Sequence, residues 1–220
     1  FVGDENWTNF QGSSRTDGGV HAARNVFHVD MCRRRKQREA TLEPHSGHTV
    51  AKALNALLLG KGVVITDAEP TSSEFHARFD ARWRVYEYHV LAGVTPRSAP
   101  TAWLKDLVWT IEHTLDTAAM QRAALALVGT HDFSSFRSSG CTAKSPVRTL
   151  HSVTVRSIAP SSSPMVGHPG LSTCRDSHLQ HIVFRLVGRS FLYHQVRFMT
   201  HLLVQVGADR VPEAHVADVL

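Results

Sequence analysis

Residues 181–206 read HIVFRLVGRSFLYHQVRFMTHLLVQV, and their pattern changes midway. Residues 181–187 have the apolar, β-branched composition of a strand. From residue 191 the apolar side chains fall at Leu192, Val196, Met199, Leu203 and Val206, one stripe of a helix, so a helix is predicted over 191–206. A strand leading into a helix predicts a mixed α/β (α+β) class, and the rest of the chain repeats that character.

Upstream, residues 147–155 have strand composition, and Asp116 is placed to cap a helix running to about Val128, with Gly129 behind it. Residues 82–90 predict a longer strand with Arg84, Tyr86 and Tyr88 on one face and Trp83, Val85, Glu87 and His89 on the other. Trp83, facing away from Tyr86, is expected in the core. Val50, Leu54, Leu57 and Leu58 recur at helical spacing, and Gly60 can end that helix. Residues 63–66 look like a short buried strand and residues 26–31 like another. Residues 1–22 read as turns around a short strand, and Pro212 can open a last helix. Residues 93–100 hold two prolines and no periodicity, which predicts a linker and two domains, 1–95 and 96–220. Residues 161–177, rich in Ser, Pro and Gly, predict a mobile insertion in the second domain. There is no short-period repeat of solenoid type.

The hydrophobic fraction of 42% in 220 residues supports a proper core and excludes a disordered chain. No apolar run approaches the roughly 18–20 residues of a membrane span, and no secretory signal is visible at the N-terminus. The three cysteines are widely spaced and odd in number, so they form neither a disulfide framework nor a metal knuckle. An intracellular, reducing setting is expected, with cytoplasm, nucleus and mitochondrion left open. The 24 basic against 19 acidic residues suit a polyanionic partner, although many basic enzymes bind no nucleic acid. His178 and His181, or His194 and His201, have ligand-like spacing, but no carboxylate or cysteine completes a metal set.

Three segments could carry chemistry. Residues 12–22, GSSRTDGGVHA, place Asp17 between a threonine and two glycines. Asp17 is either an ordinary turn residue or a carboxylate presented where backbone can approach a ligand closely, with Arg15 near enough to touch the same group. Residues 75–79, FHARF, precede the strand carrying Arg84 and Tyr86. A tyrosine beside arginines can stack on a base while the guanidinium groups hold phosphates, or it can be an amphipathic core residue. In residues 191–199, FLYHQVRFM, Arg197 borders the apolar stripe and must either snorkel or find an anion. The run Arg33-Arg34-Arg35-Lys36 is either a solvated loop or a phosphate-contacting segment.

These segments, in this order, resemble the TruA family of tRNA pseudouridine synthases. That family carries RTDxGVHA, matched by residues 15–22, then FHAR, matched by residues 75–78, and R-x-Y-x-Y, matched by residues 84–88. A DF-S-F motif follows at Asp132-Phe133-Ser134-Ser135-Phe136, then Pro-x-Arg at Pro146-Val147-Arg148, and F-L-x-x-x-V-R-x-M at residues 191–199. The resemblance implies that Asp17 is the catalytic aspartate. It implies that Tyr86 packs on the target uracil and that Arg197 pairs with the catalytic carboxylate. Arg15, His21 and Arg78 would shape the site or hold RNA.

The resemblance further implies two similar mixed-sheet domains with flanking helices around a central basic cleft. It implies a homodimer acting on tRNA, without metal, organic cofactor or membrane. It also implies a helix before RTDGGVHA, where here Gln11 runs directly into Gly12, and a final G-L-x-L strand that residues 1–220 do not contain. The competing reading is an RNA-binding protein derived from such a synthase that holds RNA without catalysis.

Overall fold

The computed structural model describes residues 6–32, 43–94, 104–159 and 178–220. The basic run 33–36, the insertion 161–177 and most of the 93–100 linker lie outside these residues. Two compact units divide between Ala81 and Arg82.

In the first unit, β1 (Trp7–Gly12) pairs antiparallel with β2 (Phe27–Met31). The register shifts between Thr8 and Gln11, one extra residue on β1, where Asn9 takes φ +54°. Helix α1 (Gly47–Leu58) starts at Ser46, whose hydroxyl accepts from the Thr49 N–H, and is followed by Gly60 at φ +74°. The strand expected at 63–66 does not form. Ile65 spends both backbone groups on the Asn55 side chain of α1, donating to Oδ1 at 2.7 Å and accepting from Nδ2 at 2.9 Å. With those groups occupied, no strand ladder is left to build there.

The second unit contains β3 (Arg84–Ala92), β4 (Trp109–Ile111), α2 (Thr117–Ala124), β5 (Gly129–Asp132), β6 (Val147–Ile158), β7 (Gln180–Gly188), α3 (Gln195–Gly207) and α4 (His215–Asp218). Its strands form one mixed sheet in the order β4-β3-β7-β6-β5, with only the β3–β4 pair parallel. β7 is central and runs antiparallel to both β3 and β6, with Tyr86 opposite Leu186 and Val153 opposite the same Leu186. Because β3 pairs along its whole length with β7, the units divide ahead of it and not at the 95/96 boundary read from the sequence.

Helices α2 and α3 pack together against one sheet face. Phe133, Phe184, Leu186, Met120, Leu127, Met199 and Leu203 are essentially inaccessible in that layer. Burying each such side chain contributes about 1.5–3 kcal/mol. The opposite face is covered locally by Leu91, Val94 and Leu104. Asp116 caps α2 by accepting from the Ala119 N–H at 2.9 Å, and the chain leaves through a tight turn at Leu125–Leu127 to Gly129 at φ +118°. α3 begins at Gln195, four residues later than its apolar stripe suggests, because His194 sits at φ +61° and cannot continue a right-handed helix backwards. The last helix likewise starts at His215 and not at Pro212, whose carbonyl accepts from the His215 N–H at 3.1 Å. Trp83 is 60% exposed and not in the core, as it precedes the first paired residue of β3.

Candidate functional site

In the first unit, Asp17 opens a tight turn. Its carbonyl accepts from the Val20 N–H at 3.0 Å, and Gly19 takes φ +76°, the conformation a type II turn needs at its third position. A Cβ at Gly18 or Gly19 would meet nothing within 4 Å, so the turn borders open space. Asp17 is half-buried, whereas Arg15 and His21 are exposed. Hydrogen bonds at the base of this loop fix it to the strand pair. The Ser13 N–H donates to the Val26 carbonyl at 2.7 Å, and the Ser13 hydroxyl to Asn25 Oδ1 at 2.7 Å. Asn25 Nδ2 in turn donates to the Ser14 carbonyl at 3.2 Å.

The segment carrying Arg78 belongs to the same unit and is held by two imidazoles. His28, on β2, accepts the Ala77 N–H at Nδ1 at 3.0 Å. His76 accepts the Arg78 and Phe79 N–H groups at its own Nδ1, at 3.2 and 3.3 Å. Asp80 closes the turn by accepting from the His76 N–H at 2.8 Å. The two rings pack edge to face at 4.9 Å, and Arg78 itself is exposed. Ser13, Asn25, His28 and Asp80 carried no sequence signal of this role. Each acts on a partner whose proximity only the fold creates.

In the second unit, Tyr86 lies on the helix-covered side of β3 and packs on the core. Its ring meets Phe191 edge-on, with centroids 4.8 Å apart and planes at 71°. Arg84, two residues back, donates to the Arg189 carbonyl at 2.6 Å, tying β3 to the loop that enters α3. Arg197 lies in the first turn of α3, exposed beside the stripe formed by Val196, Met199 and Leu203. Among the described residues of this unit, Arg197 forms no ion pair with a carboxylate.

Around the entry to α3, Tyr193 stacks on His194 at 3.8 Å, and its carbonyl accepts from the Ser138 N–H at 3.3 Å. The Arg137 guanidinium holds the Cys141 and Ala143 carbonyls at 2.9 and 2.6 Å. A backbone hydrogen bond from Tyr193 pulls the Cys141 thiol below its ordinary range, with smaller help from Ala143 and Arg137. The DFSSF motif is anchored in the core by its two phenylalanines. Asp132 accepts from the Ser134 N–H and hydroxyl at 2.9 and 2.6 Å, which lowers its carboxyl, while Phe133 and Phe136 are buried. On the other sheet face, His89 Nδ1 and His181 Nε2 lie 3.1 Å apart. Burial, with His89 alongside, pushes His181 down to about 4. Among the described residues no three His, Cys, Asp or Glu side chains gather as a metal set, and no helix is long and apolar enough to cross a membrane.

The structure thus groups Asp17, Arg15, His21 and Arg78 in one unit and Tyr86 and Arg197 in the other. Residues 123–220 match the family profile described as tRNA pseudouridine synthase. The chain is 38% identical over 209 residues to the tRNA pseudouridine synthase-like 1 of Homo sapiens, covering 94% of this chain and 65% of that protein. It is 39% identical over 198 residues to the tRNA pseudouridine synthase A of a Caulobacter species, covering 90% and 66%. Against the tRNA pseudouridine synthase A of Methylorubrum extorquens it is 36% identical over 208 residues, covering 94% and 71%. The chain spans about two thirds of the length of these relatives. A mixed five-stranded sheet backed by two helices, joined to that profile, defines an α+β protein of the pseudouridine synthase fold. The chain belongs to the TruA family of tRNA pseudouridine synthases.

Proposed function

We propose that this chain isomerises specific uridines of tRNA to pseudouridine, with Asp17 as the catalytic carboxylate. The observation that carries the reading is the turn at Asp17-Gly18-Gly19-Val20. It holds a carboxylate beside open space, on a loop pinned at its base by Ser13 and Asn25. The reaction breaks the bond from uracil nitrogen to the sugar, turns the base and joins a ring carbon to the same sugar carbon. It needs no redox partner and no group donor, so a carboxylate with a binding surface is a sufficient inventory.

A stacked base must first leave the RNA helix, at roughly a few kcal/mol. Tyr86 would return part of this by stacking, about 1–3 kcal/mol per base. Arg197 would serve as the counter-cation of the catalytic carboxylate. Arg15, His21 and Arg78 would hold the flanking backbone. The active form would be a homodimer that holds tRNA along a basic cleft.

Asp17→Asn keeps the shape and removes the charge. The variant is expected to bind tRNA with near-parental affinity and to form no pseudouridine in a tritium-release assay; normal turnover would end the assignment. A second reading, an RNA-binding protein without catalysis, is favoured by the direct run from β1 into the Asp17 loop. It is also favoured by the exposure of Trp7 (45%) and Phe10 (56%) on that strand. The parental chain decides between the two: tRNA binding with no tritium release selects the second.

A further inference from the structure

Within the segment 191–199, the proposed chemistry uses only Arg197, yet Phe191 has a defined place of its own. We propose that Phe191 is a positioning residue for pseudouridine formation: its edge-on contact fixes the plane of the Tyr86 ring on which the target uracil stacks. The inference rests on the reading of Tyr86 as the stacking tyrosine.

Three arrangements hold Phe191 against Tyr86. Gly188, at the end of β7, leaves the space. A Cβ there would stand 3.2 Å from Phe191 Cζ, 3.0 Å from the Thr149 carbonyl oxygen and 2.8 Å from Leu150 Cδ2. Arg84 pairs with Gly188 in the sheet, and its guanidinium donates to the Arg189 carbonyl at 2.6 Å, so the loop leaves β7 alongside the strand that carries Tyr86. The Leu192 N–H donates to Gln195 Oε1 at 2.7 Å, and Gln195 is fully buried, so the residue after Phe191 is keyed to the first residue of α3. An edge-to-face aromatic contact favours one relative ring plane. An aliphatic side chain fills the volume and favours none.

The test uses the full chain with substrate tRNA and four variants: Phe191→Leu, Phe191→Tyr, Tyr86→Leu and the Phe191→Leu/Tyr86→Leu double. Loss of the directional contact is expected to lower the saturating rate about two- to tenfold in Phe191→Leu. The KM for tRNA should stay within about twofold, since binding along the RNA is made elsewhere. Phe191→Tyr restores the rate. On the Tyr86→Leu background, Phe191→Leu adds no further loss, because the ring it orients is gone. Phe191→Met provides the same comparison if the leucine variant melts below the assay temperature.

A parental saturating rate in Phe191→Leu or Phe191→Met overturns the proposal, as does a full additional loss on the Tyr86→Leu background. If Tyr86→Leu itself turns over normally, the reading of Tyr86 falls and the bracing role with it. If Tyr86→Leu is slow while Phe191→Leu is not, only the bracing role falls. A parental chain without synthase activity overturns both.

Discussion

Of the two imidazoles that hold the Arg78 segment, His28 is the one that ties it to β2. His28 is 8% exposed, and its Nδ1 is committed to the Ala77 N–H, so the neutral ring carries its proton on Nε2. Among the described residues that Nε2 has no hydrogen-bond partner, while Nδ1 holds the FHAR turn on β2. His28→Leu orphans the buried Ala77 N–H as well, and a loss of about 1–3 kcal/mol is expected in urea unfolding. His28→Asn, which keeps an acceptor, should lose less; equal stability of the leucine variant and the parent would show that the bond contributes nothing. By contrast the Arg122–Glu213 pair, with side chains 58% and 40% accessible, is screened by solvent despite its bidentate geometry. At this scale the sequence was uneven. The turn at Asp17 was legible because Thr-Asp-Gly-Gly has few conformations other than a turn. His28 was not, because alternation along β2 assigns it to a face without saying that a backbone N–H 49 positions later would arrive there.

At the scale of elements, β6, β7 and α2 were legible because period and capping are local properties. The entry to α3 was not. Its stripe continues back to Leu192, but the left-handed conformation of His194 delays the helix, and the residues before it serve Tyr86 instead. The apolar run 63–66 misled for a related reason, since the Asn55 side chain captured Ile65 from ten residues away.

The β3–β7 pair carries a pH dependence. His181 is fully buried, and its pKa falls from the ordinary 6.5 to about 4, through burial first and His89 second. His89 is also lowered by burial, partly offset by Glu87, which itself lies 3.6 Å from Arg185. A lowered histidine favours the neutral form in the fold. Its contribution is therefore complete above about pH 6.5 and is lost as pH falls toward about 4, by up to about 3 kcal/mol. Urea midpoints at about pH 7.5 and about pH 4.5 should differ more for the parent than for His181→Gln. An equal difference in both would place the sensitivity elsewhere.

For the whole molecule, the division at Ala81/Arg82 assigns every strand of the five-stranded sheet, and both of its packed helices, to one unit. A fragment of residues 82–220 therefore keeps a complete core and is expected to unfold in one cooperative thermal transition. A featureless melt would mean that the first unit contributes to that core. The sequence places its boundary at 95/96 because 93–100 has the composition of a linker, whereas the compact units divide at Ala81/Arg82, beside residues of unremarkable composition.

The pairing of β3 with β7 runs through nine consecutive residue pairs, from Arg84 opposite Gly188 to Ala92 opposite Gln180. Such a ladder opens only when the sheet itself opens, so the β3 amide protons that donate to β7 should exchange with solvent near the slowest rates in the protein. The backbone under Tyr86 is accordingly an anvil. On the proposed reading of Tyr86, the base would travel to the tyrosine, and the protein's own adjustment would be left to loops outside that ladder.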